Sequence, residues 1–302
     1  MEAPSPWLTQ PREAYHDWQV NEAAGADRRA FSQRSIVQHV AMFDRLLRFL
    51  TQHHTTLATF GPDHLGAFFE DVEKRCEPGT TTRLRYFKLV DRLCRHLVEI
   101  GLREANPAAS FAEQAWPEAE PIPLFLDAAA DAALQAYVQD LASDDTRAAR
   151  SRAVVALLLG TGITAVECRL ACAGDVTLIG ERPEIRVPKR GPRLERVVAL
   201  PPFSLPALLA WQNHRPVSAR ELLFVGPQTP DRPVNDALLG TIVRDALDAI
   251  GFVAPDMSPR VLRNTFARRA LLAGKSNADV TRLLGLASQR TAIRMRATLP
   301  RT

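Results

Sequence analysis

Between Met257 and Thr302 the chain carries ten Lys/Arg and a single acid, Asp279. Arg260 and Arg263 stand three apart in this run, and a guanidinium grips phosphate oxygens through paired, planar N–H bonds. A second concentration spans residues 80–95, where Arg83, Arg85, Lys88, Arg92 and Arg95 follow Thr81 and Thr82. Arg85, Lys88, Arg92 and Arg95 recur every three or four residues, so a helix puts them on one face, with Leu84, Leu93 and Leu97 packing behind. A third is the turn PKRGPR, which holds Lys189, Arg190 and Arg193. Concentrated positive charge is the footprint of nucleic-acid binding, because each neutralised phosphate releases counterions. A solvated charged face is the alternative that charge alone leaves open.

Other chemistry is thin. Cys76, Cys94, Cys168 and Cys172 have unmatched spacings, give no disulfide framework and indicate a reducing cytoplasm. Cys168 and Cys172 lie four apart without a nearby His or further Cys, which points to core packing rather than a metal. No metal, cofactor or small-molecule substrate is expected. The sequence does not open on a basic and apolar leader, and no apolar run approaches the roughly 18 residues a membrane span needs, so a soluble protein without a membrane partner is expected.

The 302 residues suffice for one large or two modest domains. Net charge is only +4, but its distribution is uneven: 14 Lys/Arg face 15 Asp/Glu in residues 1–115, and 24 face 19 in residues 116–302. The basic excess therefore belongs to the C-terminal part.

The positioning elements read as mostly helical. Residues 1–27 mix Pro4, Pro6, Pro11, Trp7 and Trp18 with little periodicity and read as a loose arm with at most a short helix. Val37, Val40, Ala41, Phe43, Leu46, Leu47 and Leu50 then recur at helical spacing. A second helix starts at Pro62-Asp63, and a third runs from Thr80 to Ile100 until Gly101 stops it. These form a helical bundle over 28–113. Pro107, Pro117, Pro121 and Pro123 mark a linker, placed at 114–124. In the remainder, 125–302, helices are predicted over 127–142, 146–159, 164–172, 204–214, 235–250, 260–273 and 277–285. Two strands, Glu184–Val187 and Arg196–Leu200, flank the basic turn.

Five segments in order carry a resemblance: GLREANPA, LLLGTGITAVECRLACAGDV, RLERVVALP, ELLFV with the amphipathic helix after it, and PRVLRNTFARRALLAGKSNADVTRLLGL. Over about residues 28–298 the chain resembles the tyrosine recombinases, the phage integrases and Xer-type enzymes. The resemblance implies a mainly α fold: an N-terminal helical core-binding (SAM-like) domain and a larger C-terminal domain with a small β-hairpin. It also implies duplex DNA as partner. The family's Thr-Gly-x-Arg-x-x-Glu segment is kept at Thr161, Gly162 and Glu167, with Asp175 beyond.

The resemblance also marks what is missing. In the family a Tyr attacks a phosphodiester and becomes a covalent phosphotyrosine. Met295 takes that place, and a thioether has no proton to lose. This chain's tyrosines are Tyr15, Tyr86 and Tyr137, and the hydroxyls near Met295 belong to Ser288, Thr291 and Thr298. The family's first phosphate-clamping arginine is matched by Thr164; the second survives as Arg263. The two family histidines are matched by Arg260, which offers charge without proton exchange at neutral pH, and Leu286, which offers neither. The hairpin lysine matches Lys189, with Arg190 or Arg193 able to fill the same space. For Arg263 the residues leave open a phosphate contact or an ion pair with Glu167.

These readings imply a DNA-binding member of the family that has lost strand cleavage and serves a recombination complex or mobile element as an accessory subunit, possible partner of an active recombinase. Two rivals stand beside it: a working recombinase with Ser288 or a partner-supplied nucleophile, and a DNA-binding transcriptional regulator. Only seven residues follow Met295, too few for a docking helix into a neighbouring subunit.

Overall fold

Helix-starting signals dominate the architecture. In the computed structural model, which describes residues 5–24, 30–76, 82–112, 122–141, 145–190, 193–216, 221–229 and 231–300, helices open on proline at Pro6, Pro11, Pro62 and Pro259. At the first helical position the missing N–H is one that would lack an intrahelical partner anyway, so proline initiates rather than breaks. Ser32, Asp127, Asp145, Asn235 and Ser276 cap others, and Ser258 caps the helix that opens on Pro259, through side-chain oxygens that accept first-turn N–H groups.

The chain divides into two compact units, residues 1–121 and 122–302. The first contains α1 (Pro6–Thr9), α2 (Pro11–Asn21), α3 (Gln33–Gln52), α4 (Pro62–Lys74), α5 (Thr82–Glu99) and a 3-10 turn at Ala109–Phe111. Trp7, Tyr15 and Trp18 belong to the same buried cluster as Phe43, Leu46, Phe68 and Leu93. Tyr15 stacks on Phe43 with centroids 4.0 Å apart, and Trp18 lies over His96 at 4.7 Å. Residues 5–24 are thus part of the bundle, not a loose arm. Tyr15 and Trp18, three apart on α2, supply an inward face that two prolines obscured. On α3 the inward residues are Ile36, Phe43, Leu46, Phe49 and Leu50, while Val37 is 60% exposed. Residues 1–4 and 25–27 of the expected arm, Thr80 and Thr81 at the start of the third helix, and most of the expected linker lie outside the described residues.

The second unit is built round α7 (Thr146–Thr161), whose residues Ala153 to Leu159 are all fully buried. A helix apolar on every side must be enclosed. It is enclosed by α6 (Ala128–Gln139), α9 (Leu205–His214), α10 (Asp236–Ala249) and α11 (Pro259–Leu272). The short α8 (Ala165–Arg169), α12 (Asn277–Leu283) and α13 (Arg290–Arg296) complete it. The entry segment is pinned to α11: Asn264 donates to the Leu124 carbonyl at 2.8 Å, and the Leu126 N–H donates to the Thr265 hydroxyl at 2.9 Å. Leu124, placed in the linker from sequence, therefore packs within the second unit.

A three-stranded antiparallel sheet runs in the order β1 (Val176–Thr177), β2 (Glu184–Val187), β3 (Arg196–Ala199). The register pairs Ile185 with Val198 and Val187 with Arg196. Ile185, Val187 and Val198 face inward, and so does Arg196, which the period of two forces onto the buried face. The strand Val176–Thr177 and the helix Arg290–Arg296 were not foreseen from sequence.

Removing a large aromatic from a core costs about 3–5 kcal/mol. Trp18→Ala is expected to lower unfolding stability by about that amount in urea titration. An effect below about 1 kcal/mol would show that α2 is not part of the first unit's core.

Candidate nucleic-acid interface

The site is organised by a charge that β3 buries. Arg196 donates from Nη1 to Glu167 Oε1 at 2.8 Å and from Nη2 to Glu167 Oε2 at 2.9 Å, with both side chains almost wholly enclosed. Its Nε donates to the Leu283 carbonyl at 2.8 Å. Glu167 also accepts from Thr164, from the backbone N–H at 2.7 Å and from the hydroxyl at 2.9 Å, while the Glu167 N–H donates to the Thr164 hydroxyl at 3.2 Å. This is a reciprocal capping box at the start of α8. Burial alone would raise the Glu167 pKa, but the bonds from Arg196 and Thr164 outweigh it and hold it down to about 2.

Arg263 lies on α11, half-buried beside this pair. It donates from Nη1 to the Gly162 carbonyl and from Nη2 to the Leu284 carbonyl at 2.7 Å. Both acceptors cap helices, Gly162 at the end of α7 and Leu284 at the end of α12. The guanidinium thus satisfies carbonyls that helix ends leave open. Glu167, the partner considered for it, is taken by Arg196. Burial first, then the neighbouring charges of Arg193 and Arg196, push the Arg263 pKa down to about 9, which leaves it cationic at neutral pH. Gly162 is in the left-handed region at φ 63°, and a Cβ there would stand 2.3 Å from the Phe266 ring. Only glycine lets α7 end where Arg263 can reach it.

The remaining positions differ in kind. Arg260 is exposed at the N-terminal end of α11, and its guanidinium has no hydrogen bond among the described residues. In the turn, Arg190 and Arg193 bond through their backbones at 3.0 and 3.2 Å. Arg190 donates to the Leu170 carbonyl at 3.0 Å, and Lys189 is exposed. Arg193 keeps a buried Nη1 without a partner among the described residues. Gly191 and Pro192 lie outside them. Arg193, Arg196 and Arg263 therefore face one carboxylate, leaving excess positive charge suited to an anion such as phosphate.

Groups that could do covalent or proton-transfer chemistry are displaced from this cluster. Thr164 is spent on the cap, Leu286 packs against the core, and Met295 is fully buried on α13. Ser288 is exposed ahead of α13. Among the described residues no group of three or more His, Cys, Asp or Glu could hold a metal, and no helix is long and apolar enough to cross a membrane.

In the first unit α5 exposes Arg85, Lys88 and Arg95. Arg85 reaches Gln38 at 3.4 Å, and Arg95 pairs with Asp91 at 2.8 Å. Arg83 is half-buried, 3.5 Å from Glu73. Arg92 is half-buried with its guanidinium 4.9 Å over the Phe31 ring. Sequence periodicity placed Arg92 correctly on the helix face but missed the ring that holds it. Sequence reasoning also missed Arg196, although alternation with Val198 marked it as inward.

Residues 130–298 match the Phage integrase family. The chain is 29% identical over 257 residues to the tyrosine recombinase XerC of Mesorhizobium japonicum, covering 82% of this chain and 79% of that protein. It is 25% identical over 262 residues to the tyrosine recombinase XerD of Yersinia pestis, covering 85% and 84%. Its fold is similar to that of the XerH site-specific recombinase bound to difH substrate, with a TM-score of 0.73 at 15% identity over 98% of this chain and 95% of that one. A lambda integrase dimer bound to a COC′ core site gives 0.72 at 13% identity, over 98% and 79%. The two mainly helical units, one with a small antiparallel sheet, define a recombinase-type fold. The chain belongs to the phage integrase family, the tyrosine recombinases of DNA recombination.

Because Glu167 ionises more readily folded than unfolded, the pair's stabilisation is complete above the ordinary carboxyl value of 4.5 and is lost as pH falls toward 2. Glu167→Gln is expected to cost about 3 kcal/mol at neutral pH by leaving Arg196 buried and uncompensated. It should also flatten stability against pH in that window. A variant with unchanged pH dependence would remove Glu167 from the account.

Proposed function

We propose that this protein binds duplex DNA as a member of a recombination complex and does not cut it. The observation that carries the reading is Met295, at the position matched to the family nucleophile, sealed in the core between α11, α12 and α13. No Tyr follows Tyr137 in the sequence. The loss of the first clamping arginine points the same way: Thr164 is a helix cap, and one missing preorganised donor to a developing oxyanion costs about 10²–10³ in rate.

DNA binding rests on separate features. The XerH and lambda integrase structures of similar fold are described as bound to DNA sites. In this chain Arg260, Lys189, Arg193 and Arg263 supply charge in the second unit, and Arg85 and Lys88, flanked by Arg83 and Arg92, in the first. Arg263 and Arg196 hold the cradle's shape through carbonyls and Glu167, so the phosphate-facing charge falls chiefly to Arg193, Arg260 and Lys189. Such contacts fix position on the duplex and read no sequence by themselves. The protein acts in the cytoplasm as an accessory subunit serving a mobile element, beside an active recombinase.

Arg85→Ala combined with Lys88→Ala is expected to weaken duplex binding and to reduce the slope of log K against log salt by about two, one unit per phosphate contact. An unchanged slope would clear α5 of DNA contact. On a nicked suicide duplex carrying the protein's own footprinted site, denaturing electrophoresis is expected to show free protein alone. A covalent adduct of this chain would overturn the non-cutting reading, and its mapping to Ser288 would identify the nucleophile.

A further inference from the structure

Away from the basic cradle, the second unit carries a solvent-open cleft of about 440 Å³ at the N-terminal end of α7. Its apolar walls include Trp211, Val225, Pro227 and Leu238, and Arg147 and Arg150 enter it from α7. Arg150 is only 6% exposed, yet its guanidinium makes no hydrogen bond among the described residues, and its Nε is fully enclosed without a partner. An enclosed Nε–H without an acceptor on so buried a side chain is unusual, because buried charges are normally paired.

The nearby acid attracts it through space but makes no hydrogen bond to it among the described residues. Asp145 also lines the cavity, but its two carboxylate oxygens accept from the Arg147 N–H at 3.1 Å and the Ala148 N–H at 3.3 Å, capping α7. Arg147 adds a second positive charge, and both arginines lie in the first turns of a helix whose N-terminal dipole already disfavours cations. Burial first and Arg147 second lower the Arg150 pKa from its usual value, against the opposing pull of Asp145. The cavity has the volume and the largely apolar wall with few polar groups that small ligands use. Trp211 is fixed within it by its indole N–H, which donates to the Leu223 carbonyl at 2.8 Å.

We propose that this cavity binds a small organic anion whose carboxylate or phosphate group pairs with Arg150 and whose apolar body lies against Trp211, Val225, Pro227 and Leu238. The planar guanidinium suits either group, since both present two oxygens to a pair of parallel N–H donors. Such a ligand would brace α7 against the Val225–Pro227 segment in the unit that carries the basic cradle.

The full chain, labelled with ¹⁵N at its tryptophans, is titrated separately with benzoate, phenyl phosphate and inorganic phosphate, the Trp211 indole signal being assigned with Trp211→Phe. Benzoate or phenyl phosphate is expected to shift that signal saturably in the millimolar range, the tighter of the two naming the preferred anionic group, and inorganic phosphate is expected to bind at least tenfold more weakly than that probe. Arg150→Leu should weaken binding at least tenfold. Leu238→Trp, which fills the cavity and keeps Arg150, should abolish it. The proposal falls if neither aromatic anion shifts Trp211 saturably, if inorganic phosphate binds as tightly as they do, or if either variant binds like the parent chain.

Discussion

The second unit depends on the enclosed pair between Glu167 and Arg196. Two nearly inaccessible charges cost much desolvation, and only good geometry with further hydrogen bonds returns it. Both conditions hold: the contact is bidentate, the Arg196 Nε satisfies the Leu283 carbonyl, and Thr164 supplies two more donors to Glu167. The pair links the start of α8, the sheet and the end of α12 at one point. Gly285 shows how closely the parts meet, because a Cβ there would stand 2.5 Å from Arg196.

Arg263 extends the same logic to the ends of α7 and α12. A residue type suited to gripping phosphate here also holds two helix termini through their carbonyls. Its survival beside Thr164 and Leu286 thus has a structural cause independent of strand cleavage. The electrostatic surplus is carried by Arg193, Arg260 and Lys189, which hold no ion pair among the described residues.

Legibility from sequence followed the range of the interactions. Helix periodicity exposed α3, α4 and α5, because each buries an apolar stripe whose spacing is local. The five ordered segments exposed the fold class. Two prolines hid α1 and α2, whose aromatic side chains have meaning only once Phe43 and His96 are beside them. The site was half legible: residue types marked the positions that depart from the family pattern, but the partner of Glu167 sits 29 residues away on β3 and no local pattern pairs them. The ring contact of Arg92 with Phe31 was hidden for the same reason.

Met295 closes the route back as well as the route forward. Its side chain has no exposed surface, and its helix α13 packs against α11 and α12. Reinstating a phenol by one substitution would force a longer, rigid ring into a filled space and strand its hydroxyl away from water. At this position, packing alone therefore selects a flexible apolar side chain over a rigid polar one.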